Sequence, residues 1–127
     1  MACVQSKRIV AVDDEPAILD LVQIILGQDY EVVTTFHPDL ATALIRQVKP
    51  DLILIDVEMP GVSGWTILRD IRADEQIEHI QVIMITALSG TVDKAFGLHI
   101  AHVTDYITKP FTSEDLFRRV SDVLQKS

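Results

Sequence analysis

The sequence predicts a single α/β domain, a doubly wound parallel sheet of five strands with helices on both faces. Three observations predict this fold class. Five short apolar runs rich in Val, Ile and Leu alternate with segments of helical spacing. Most of these runs are nearly continuous in apolar residues, as strands covered on both faces require. The chain of 127 residues has no Pro-, Gly- or Ser-rich linker and is too short for two full domains.

The strands are predicted from the apolar β-branched runs, which are short and end at polar residues. They are Ile9 to Val12, Val32 to Phe36, Leu52 to Ile55, Val82 to Ile85 and Tyr106 to Thr108. Thr34 and Thr35 make the second run more polar than the others. This polarity indicates that the second strand lies at an edge of the sheet.

The helices are predicted from apolar residues at positions i, i+3, i+4 and i+7, which form one buried stripe. The first three stripes are Ile18, Leu21, Val22 and Ile25, then Ala41, Leu44, Ile45 and Val48, then Gly64, Ile67, Leu68 and Ile71. A fourth stripe is Val92, Ala95, Phe96 and Ile100. Gly90 and Gly97 lower the helix propensity of that segment, so we expect it to be the most mobile element.

The last helix carries an N-terminal signal in which Thr112 precedes Asp115 by three residues, a capping-box pattern. Its predicted buried residues are Leu116, Phe117, Val120, Val123 and Leu124. Residues 1–7 carry no such pattern and are expected to form a flexible N-terminus.

Net charge, hydropathy and cysteine content argue against several classes of function. The net charge of -8 and pI near 4.7 argue against binding to nucleic acid or to an anionic membrane. No apolar run approaches the roughly 20 residues that span a bilayer. The single cysteine, Cys3, has no partner within the chain, which favours a reducing compartment. We therefore expect a soluble cytoplasmic protein.

Polar side chains follow four of the predicted strands at the point where each strand ends. Asp13 and Asp14 follow the first, Asp56 the third, Thr86 and Ala87 the fourth, and Lys109 the fifth. Taken alone, each aspartate is more readily explained as a helix N-cap or a turn residue than as a functional group. Ligands of such sheets bind beyond the carboxyl ends of the strands, however, so the combination predicts a site there.

The charges of this predicted site indicate a metal. Two unit charges 4 Å apart repel by about 4 kcal/mol at an effective dielectric near 20. Asp13, Asp14 and Asp56 would carry three negative charges against one positive charge on Lys109. A divalent cation would neutralise the two negative charges that Lys109 leaves unbalanced. Since the predicted ligands are hard oxygen atoms, Mg²⁺ is the expected ion. A neutralised site could accept a phosphoryl group, with Asp56 as the nucleophile.

Taken together, these residues resemble a known family, the receiver domain of two-component response regulators. The resemblance rests on four fragments in order, which are Val12 to Glu15, Asp56 to Gly61, Thr86 with Ala87, and Asp105 to Phe111. It spans nearly the whole chain and places the domain at residues 8–125, with no output domain in this chain. It implies a flavodoxin-like (βα)5 fold with strand order 2-1-3-4-5.

The resemblance also implies roles at the site. Asp56 would take a phosphoryl group from a sensor histidine kinase or phosphotransfer protein, forming an acyl phosphate. Asp14, Asp56 and the main-chain carbonyl of Glu58 would bind Mg²⁺, and Asp13 would hold it mainly through water. Lys109 would contact a phosphoryl oxygen. The domain would be a signalling module and not an enzyme, limited to its own phosphorylation and autodephosphorylation.

A switch is implied as well. Thr86 and Tyr106 would form a pair that changes conformation on phosphorylation, the hydroxyl moving toward the phosphoryl group and the ring turning inward. An effector protein would then bind the face built from the fourth helix, fifth strand and fifth helix. The peptide bond between Lys109 and Pro110 would be cis.

One departure from the family pattern, and one pair of positions within that pattern, carry expectations of their own. His102 stands where the family has a glycine in a left-handed conformation, so we expect a rebuilt turn after the fourth helix. Leu88 and Glu58 occupy positions that tune hydrolysis of the acyl phosphate, and we expect an intermediate lifetime. The four histidines, His37, His79, His99 and His102, have no ligand spacing, and structural roles are expected for them.

Two alternatives remain open at this point. One is a phosphohydrolase that works through an aspartyl phosphate, although such enzymes place their nucleophile after the first strand. The other is a docking module that works without phosphorylation, although such modules usually lack one of the acidic residues or the lysine.

Overall fold

The computed structural model describes residues 7–87 and 103–126. Its strands are β1 (Arg8–Val12), β2 (Glu31–Thr35), β3 (Leu52–Asp56), β4 (Gln81–Thr86) and β5 (Asp105–Thr108). Its helices are α1 (Pro16–Leu26), a 3₁₀ turn (Pro38–Leu40), α2 (Ala41–Val48), α3 (Gly64–Arg72) and a C-terminal helix (Ser113–Lys126). The residues predicted to form the fourth helix, the turn at His102, and Leu88 all lie outside the described ranges.

The strands form one parallel sheet in the order β2-β1-β3-β4-β5, which confirms the predicted fold class and strand order. β2 lies at an edge, as its threonines indicated. β2 begins one residue earlier than predicted and ends before Phe36, which is exposed. Within the described ranges, none of the helices combines the length and apolar character needed to cross a membrane.

Alternate residues of each strand face opposite sides of the sheet, and each side buries its own apolar cluster. In β1, Val10 and Val12 belong to the cluster under α2 and α3, whereas Ile9 and Ala11 belong to the cluster under α1 and the C-terminal helix. The strands are nearly continuous in apolar residues because both faces are covered. The polar residues therefore lie mainly at the ends of the strands.

The predicted stripe of α1 is partly wrong. The buried residues are Leu19, Val22 and Leu26, while Leu21 is 37% exposed. Ile18 and Ile25 are only partly buried against the core. The helix is apolar on several sides, so more than one stripe matches its sequence, and the direction in which it packs on the sheet decides between them.

The stripes of the other described helices agree with prediction. Gly64, Ile67, Leu68 and Ile71 are all buried in α3. In α2, Ala41 and Ile45 are buried, and Leu44 and Val48 are partly buried against the core. The C-terminal helix begins as its capping pattern predicts, since the Asp115 amide donates to Thr112 Oγ1 at 3.0 Å. It buries Leu116, Val120, Val123 and Leu124, whereas Phe117 is half-buried.

α3 approaches β3 closely because its first residue is glycine. A Cβ atom at Gly64 would lie 2.3 Å from the main-chain oxygen of Asp56. The Gly64 amide donates to the Val57 carbonyl at 2.9 Å, and Ser63 caps the helix by accepting from the Trp65 amide. Gly64 therefore sets the distance between α3 and the strand end that carries Asp56.

We expect Gly64→Ala to lower the free energy of unfolding by about 2 kcal/mol, because the added methyl group overlaps backbone that cannot move freely. A loss of stability would be informative, because replacing glycine with alanine ordinarily stabilises a helix by about 1 kcal/mol. Urea unfolding followed by circular dichroism measures the change. Thr66→Ala, at an exposed position of the same helix, is the matched control and should be neutral or slightly stabilising. Equal stability of Gly64→Ala and the parent would contradict the close contact.

Candidate functional site

Two buried carboxylates lie side by side at the carboxyl edge of the sheet. Val12 and Ile55 are register partners on adjacent strands, so Asp13 and Asp56 emerge next to one another. Their exposed fractions are only 2% and 3%. Asp13 is held in place by the Glu15 amide, which donates to its Oδ1 at 2.9 Å. The two aspartates predicted from neighbouring strand ends are therefore together in the structure.

Lys109 links these carboxylates from the end of β5. Its Nζ lies 2.9 Å from Asp13 Oδ2 and 3.5 Å from Asp56 Oδ2. The same atom lies 3.2 Å from Glu15 Oε1. The Lys109 amide donates to the Thr86 carbonyl at 2.8 Å, which fixes the end of β5 against the end of β4. As expected, the peptide bond between Lys109 and Pro110 is cis.

The protonation of the pocket reflects its burial and its excess of negative charge. Burial, and then the charge of Asp13, raise the pKa of Asp56 from 3.8 to about 6, against the opposing effects of Lys109 and the Glu58 amide. Burial also raises the pKa of Asp13. Burial lowers the pKa of Lys109, but its hydrogen bond to Asp13 and the neighbouring carboxylates outweigh this and raise it. One ammonium group does not neutralise the pocket.

The donor set fits a hard divalent cation. Asp13, Asp14 and Glu15 each offer an oxygen atom, and these atoms lie within 4.8 Å of one another. Asp14 is only half-buried, so it is more accessible to solvent than Asp13 and Asp56. Carboxylate oxygens at an accessible, negatively charged site are what Mg²⁺ binds, usually with several of its waters retained. The residues present therefore suit Mg²⁺.

Glu15 is the site residue that sequence-based reasoning left out. With it, three carboxylates lie within 3.5 Å of the Lys109 ammonium group. Asp14, whose carboxylate lies close to those of Asp13 and Glu15, brings the pocket to four negative charges, one more than Asp13, Asp14 and Asp56 alone provide. The signal was present in the sequence, because Glu15 directly follows the two aspartates at the same strand end.

The predicted switch residues lie on β4, which pairs with β3, and on β5, the edge strand beyond it. Thr86 is buried at the end of β4, and Ala87 is exposed immediately after it. Tyr106 is buried in β5, opposite Met84 in the register. Its ring makes an edge contact with Trp65 of α3, with ring centroids 6.2 Å apart. Trp65 thus packs against the edge strand.

β5 is tied to the C-terminal helix by an arginine that the sequence reading also missed. Arg119 Nη1 lies 3.0 Å from both carboxylate oxygens of Asp105 and 3.1 Å from the Tyr106 carbonyl. Its Nε donates to Asp115 one turn earlier in the helix. The Asp115 and Arg119 spacing is visible in the sequence, but the contact with Asp105 depends on how the helix packs.

Comparison with known proteins places this arrangement in a family. The sequence model of the response regulator receiver domain family matches residues 9–121 of this chain. The chain is 40% identical over 121 residues to the DNA-binding dual master transcriptional regulator RpaA of Synechocystis, covering 94% of this chain and 50% of that protein. It is 33% identical over 122 residues to the DNA-binding response regulator MtrA of Mycolicibacterium smegmatis, covering 95% and 52%. The chain thus spans about half the length of these two curated relatives.

Solved structures agree with the family match. The chemotaxis protein CheY4 of Vibrio cholerae superposes with a TM-score of 0.87 at 28% identity, covering 94% of this chain and 99% of that one. A CheY-like receiver domain protein from Methanospirillum hungatei gives 0.86 at 29% identity, covering 96% of each. Sequence match, strand order and the acidic strand ends point the same way, and the chain belongs to the response regulator receiver domain family of two-component systems.

Proposed function

We propose that this receiver domain accepts a phosphoryl group on Asp56 from the phosphohistidine of a sensor histidine kinase or a phosphotransfer protein. The observation that carries the proposal is the setting of Asp56. It is a buried carboxylate at the carboxyl edge of the sheet, with a pKa raised to about 6 and an ammonium group 3.5 Å away. Such a group is ionised at neutral pH and remains more basic than an ordinary aspartate, which favours nucleophilic attack.

The transfer itself is a displacement at phosphorus. An Oδ atom of Asp56 forms a bond to phosphorus while the bond from phosphorus to the histidine nitrogen breaks, and the electron pair of that bond stays on the imidazole. The product is an acyl phosphate on Asp56. Pairing of β3 with strands on both sides holds Asp56 in place, so little motion is needed to present the nucleophile.

Three groups would stabilise the transferred phosphoryl oxygens. The Lys109 ammonium group already faces Asp56 and would contact one oxygen. The Thr86 hydroxyl and the Ala87 amide, at the end of the neighbouring strand, would donate to others. Asp13, Asp14, Asp56 and the main-chain carbonyl of Glu58 would hold Mg²⁺, which when bound neutralises negative charge on the transferring group.

The readout would pass through Thr86 and Tyr106 to the face that contains the predicted fourth helix, β5 and the C-terminal helix. New hydrogen bonds to the phosphoryl group would bias a two-state equilibrium of this face, where an effector protein would bind. Two relatives are named as DNA-binding proteins. The net charge of -8 nevertheless argues that this domain itself does not contact DNA. We expect the domain to act in the cytoplasm.

Incubation with acetyl phosphate and Mg²⁺, followed by intact mass measurement, tests the proposal. We expect a gain of about 80 Da, the mass of one phosphoryl group, that requires both the metal and Asp56. Asp56→Asn should show no gain. Asp20→Asn, at an exposed position of α1, removes the same charge outside the pocket and should be phosphorylated like the parent.

Two related measurements separate the alternatives. Sustained turnover of p-nitrophenyl phosphate that is lost in Asp56→Asn would favour a phosphohydrolase. An unchanged mass with every phosphodonor tried would favour a module that docks without phosphorylation. Either result would contradict the proposal.

A further inference from the structure

The side chain of Glu15 is used in an unusual way for a residue at the start of a helix. Its backbone is fixed, because its amide donates to Asp13 and its carbonyl accepts from the Ile18 and Leu19 amides at the start of α1. Its carboxylate makes no capping hydrogen bond to that helix. Instead it reaches toward Lys109, with Oε1 3.2 Å from Nζ. The helix is left uncapped by this side chain, and the pocket gains a carboxylate.

Glu15 differs from the other carboxylates on Lys109 in exposure. Its side chain is 60% exposed, whereas those of Asp13 and Asp56 are 3% and 4% exposed. A buried carboxylate that loses its cation is left without solvent, but an exposed one is hydrated at once. Glu15 is therefore the partner that Lys109 can release at least cost.

We infer that Glu15 is a positioning residue for Lys109. It holds the ammonium group in the unphosphorylated pocket and releases it when a phosphoryl group arrives on Asp56. This inference rests on the proposed phosphoryl transfer. Both the contact and its negative charge disfavour the approach of an anionic donor, so Glu15 slows phosphorylation. Once Lys109 contacts the phosphoryl group, Glu15 no longer holds it, and hydrolysis of the acyl phosphate does not depend on Glu15.

Two variants separate the contact from the charge. Glu15→Gln removes the charge at the same length. Glu15→Asp keeps the charge but is one methylene shorter and falls short of Lys109. With Mg²⁺ at a concentration that saturates each variant, we expect both to gain mass from acetyl phosphate faster than the parent, by about threefold, the scale of one exposed ion pair. The hydrolysis rate, measured after the donor is removed, should stay at the parent value. Asp20→Asn should match the parent in both rates.

A parent-like phosphorylation rate in Glu15→Asp would show that only long-range repulsion matters, and it would overturn the positioning role. So would an equal acceleration of phosphorylation and hydrolysis. If the parent itself gains no phosphoryl group on Asp56, the proposed function fails and the inference fails with it. If the parent is phosphorylated and neither Glu15 variant differs from it, the inference alone fails.

A spectroscopic measurement on the metal-free protein tests the contact without any phosphorylation. In ¹⁵N-labelled protein, the ammonium signal of Lys109, assigned by its loss in Lys109→Met, should shift in both Glu15 variants. It should not shift in Asp20→Asn. An unchanged signal in both Glu15 variants would contradict the contact.

Discussion

Asp56→Asn is expected to stabilise the metal-free protein at neutral pH by up to about 3 kcal/mol, while abolishing phosphoryl acceptance. The pKa of Asp56 rises from 3.8 to about 6 on folding, so the folded state binds a proton more tightly than the unfolded chain. The ionised carboxylate therefore costs stability. That cost is absent below pH 3.8, grows between pH 3.8 and about 6, and is fully present above this range. Asparagine removes the charge and with it the cost.

Urea unfolding of the parent and of Asp56→Asn, in the presence of a chelator, measures this effect. The difference should be largest at about pH 7.5 and should shrink toward zero near pH 4. Asp20→Asn, an exposed control, should change the stability little at either pH. A lower stability of Asp56→Asn at neutral pH would contradict the electrostatic description of the pocket.

Lys109→Met is expected to have the opposite effect, a loss of about 3 kcal/mol at neutral pH. Lys109 lies within 3.5 Å of Asp13, Glu15 and Asp56 and is only 13% exposed. Without it, Asp13 and Asp56 remain as buried charges with no cation, and their pKa values rise further. The loss should diminish as the pH falls, because protonation of these carboxylates removes the repulsion. Phosphoryl acceptance should fall as well, because the ammonium group no longer meets the phosphoryl oxygens.

The double variant shows whether the two effects share one cause. Asn at position 56 removes part of the repulsion that Lys109 offsets, so Lys109→Met should cost less stability in the Asp56→Asn background than in the parent. Lys7→Met is the control. Lys7 is exposed and directly precedes β1, so it lies at the amino ends of the strands, away from the pocket at their carboxyl ends. Strict additivity of the two changes would contradict a shared pocket.

The position of the pocket follows from the sequence because parallel strands end at a common edge. Asp13 follows β1 and Asp56 ends the adjacent strand β3, so their meeting follows from the strand order. Lys109 follows β5, which lies beyond β4, and its long side chain reaches across the end of β4. Burial of the α3 stripe was equally predictable, because Gly64, Ile67, Leu68 and Ile71 leave a single apolar face.

Other features depend on packing that the local sequence does not encode. α1 is apolar on several sides, so its buried face could not be chosen from periodicity alone, and the predicted stripe wrongly included Leu21. The contact of Glu15 with Lys109 joins residues 94 positions apart, so it depends on how the ends of β1 and β5 are brought together. The contact of Arg119 with Asp105 likewise requires the C-terminal helix to lie beside β5.

The central claim is that one buried carboxylate, that of Asp56, is the phosphoryl acceptor. Borohydride reduces an acyl phosphate to an alcohol and so converts a phosphorylated aspartate to homoserine, which peptide mass spectrometry locates. After treatment with acetyl phosphate and Mg²⁺, we predict homoserine at position 56 and at no other aspartate, and none when the metal is chelated. Homoserine at Asp13 or Asp14 with Asp56 unchanged would contradict the account.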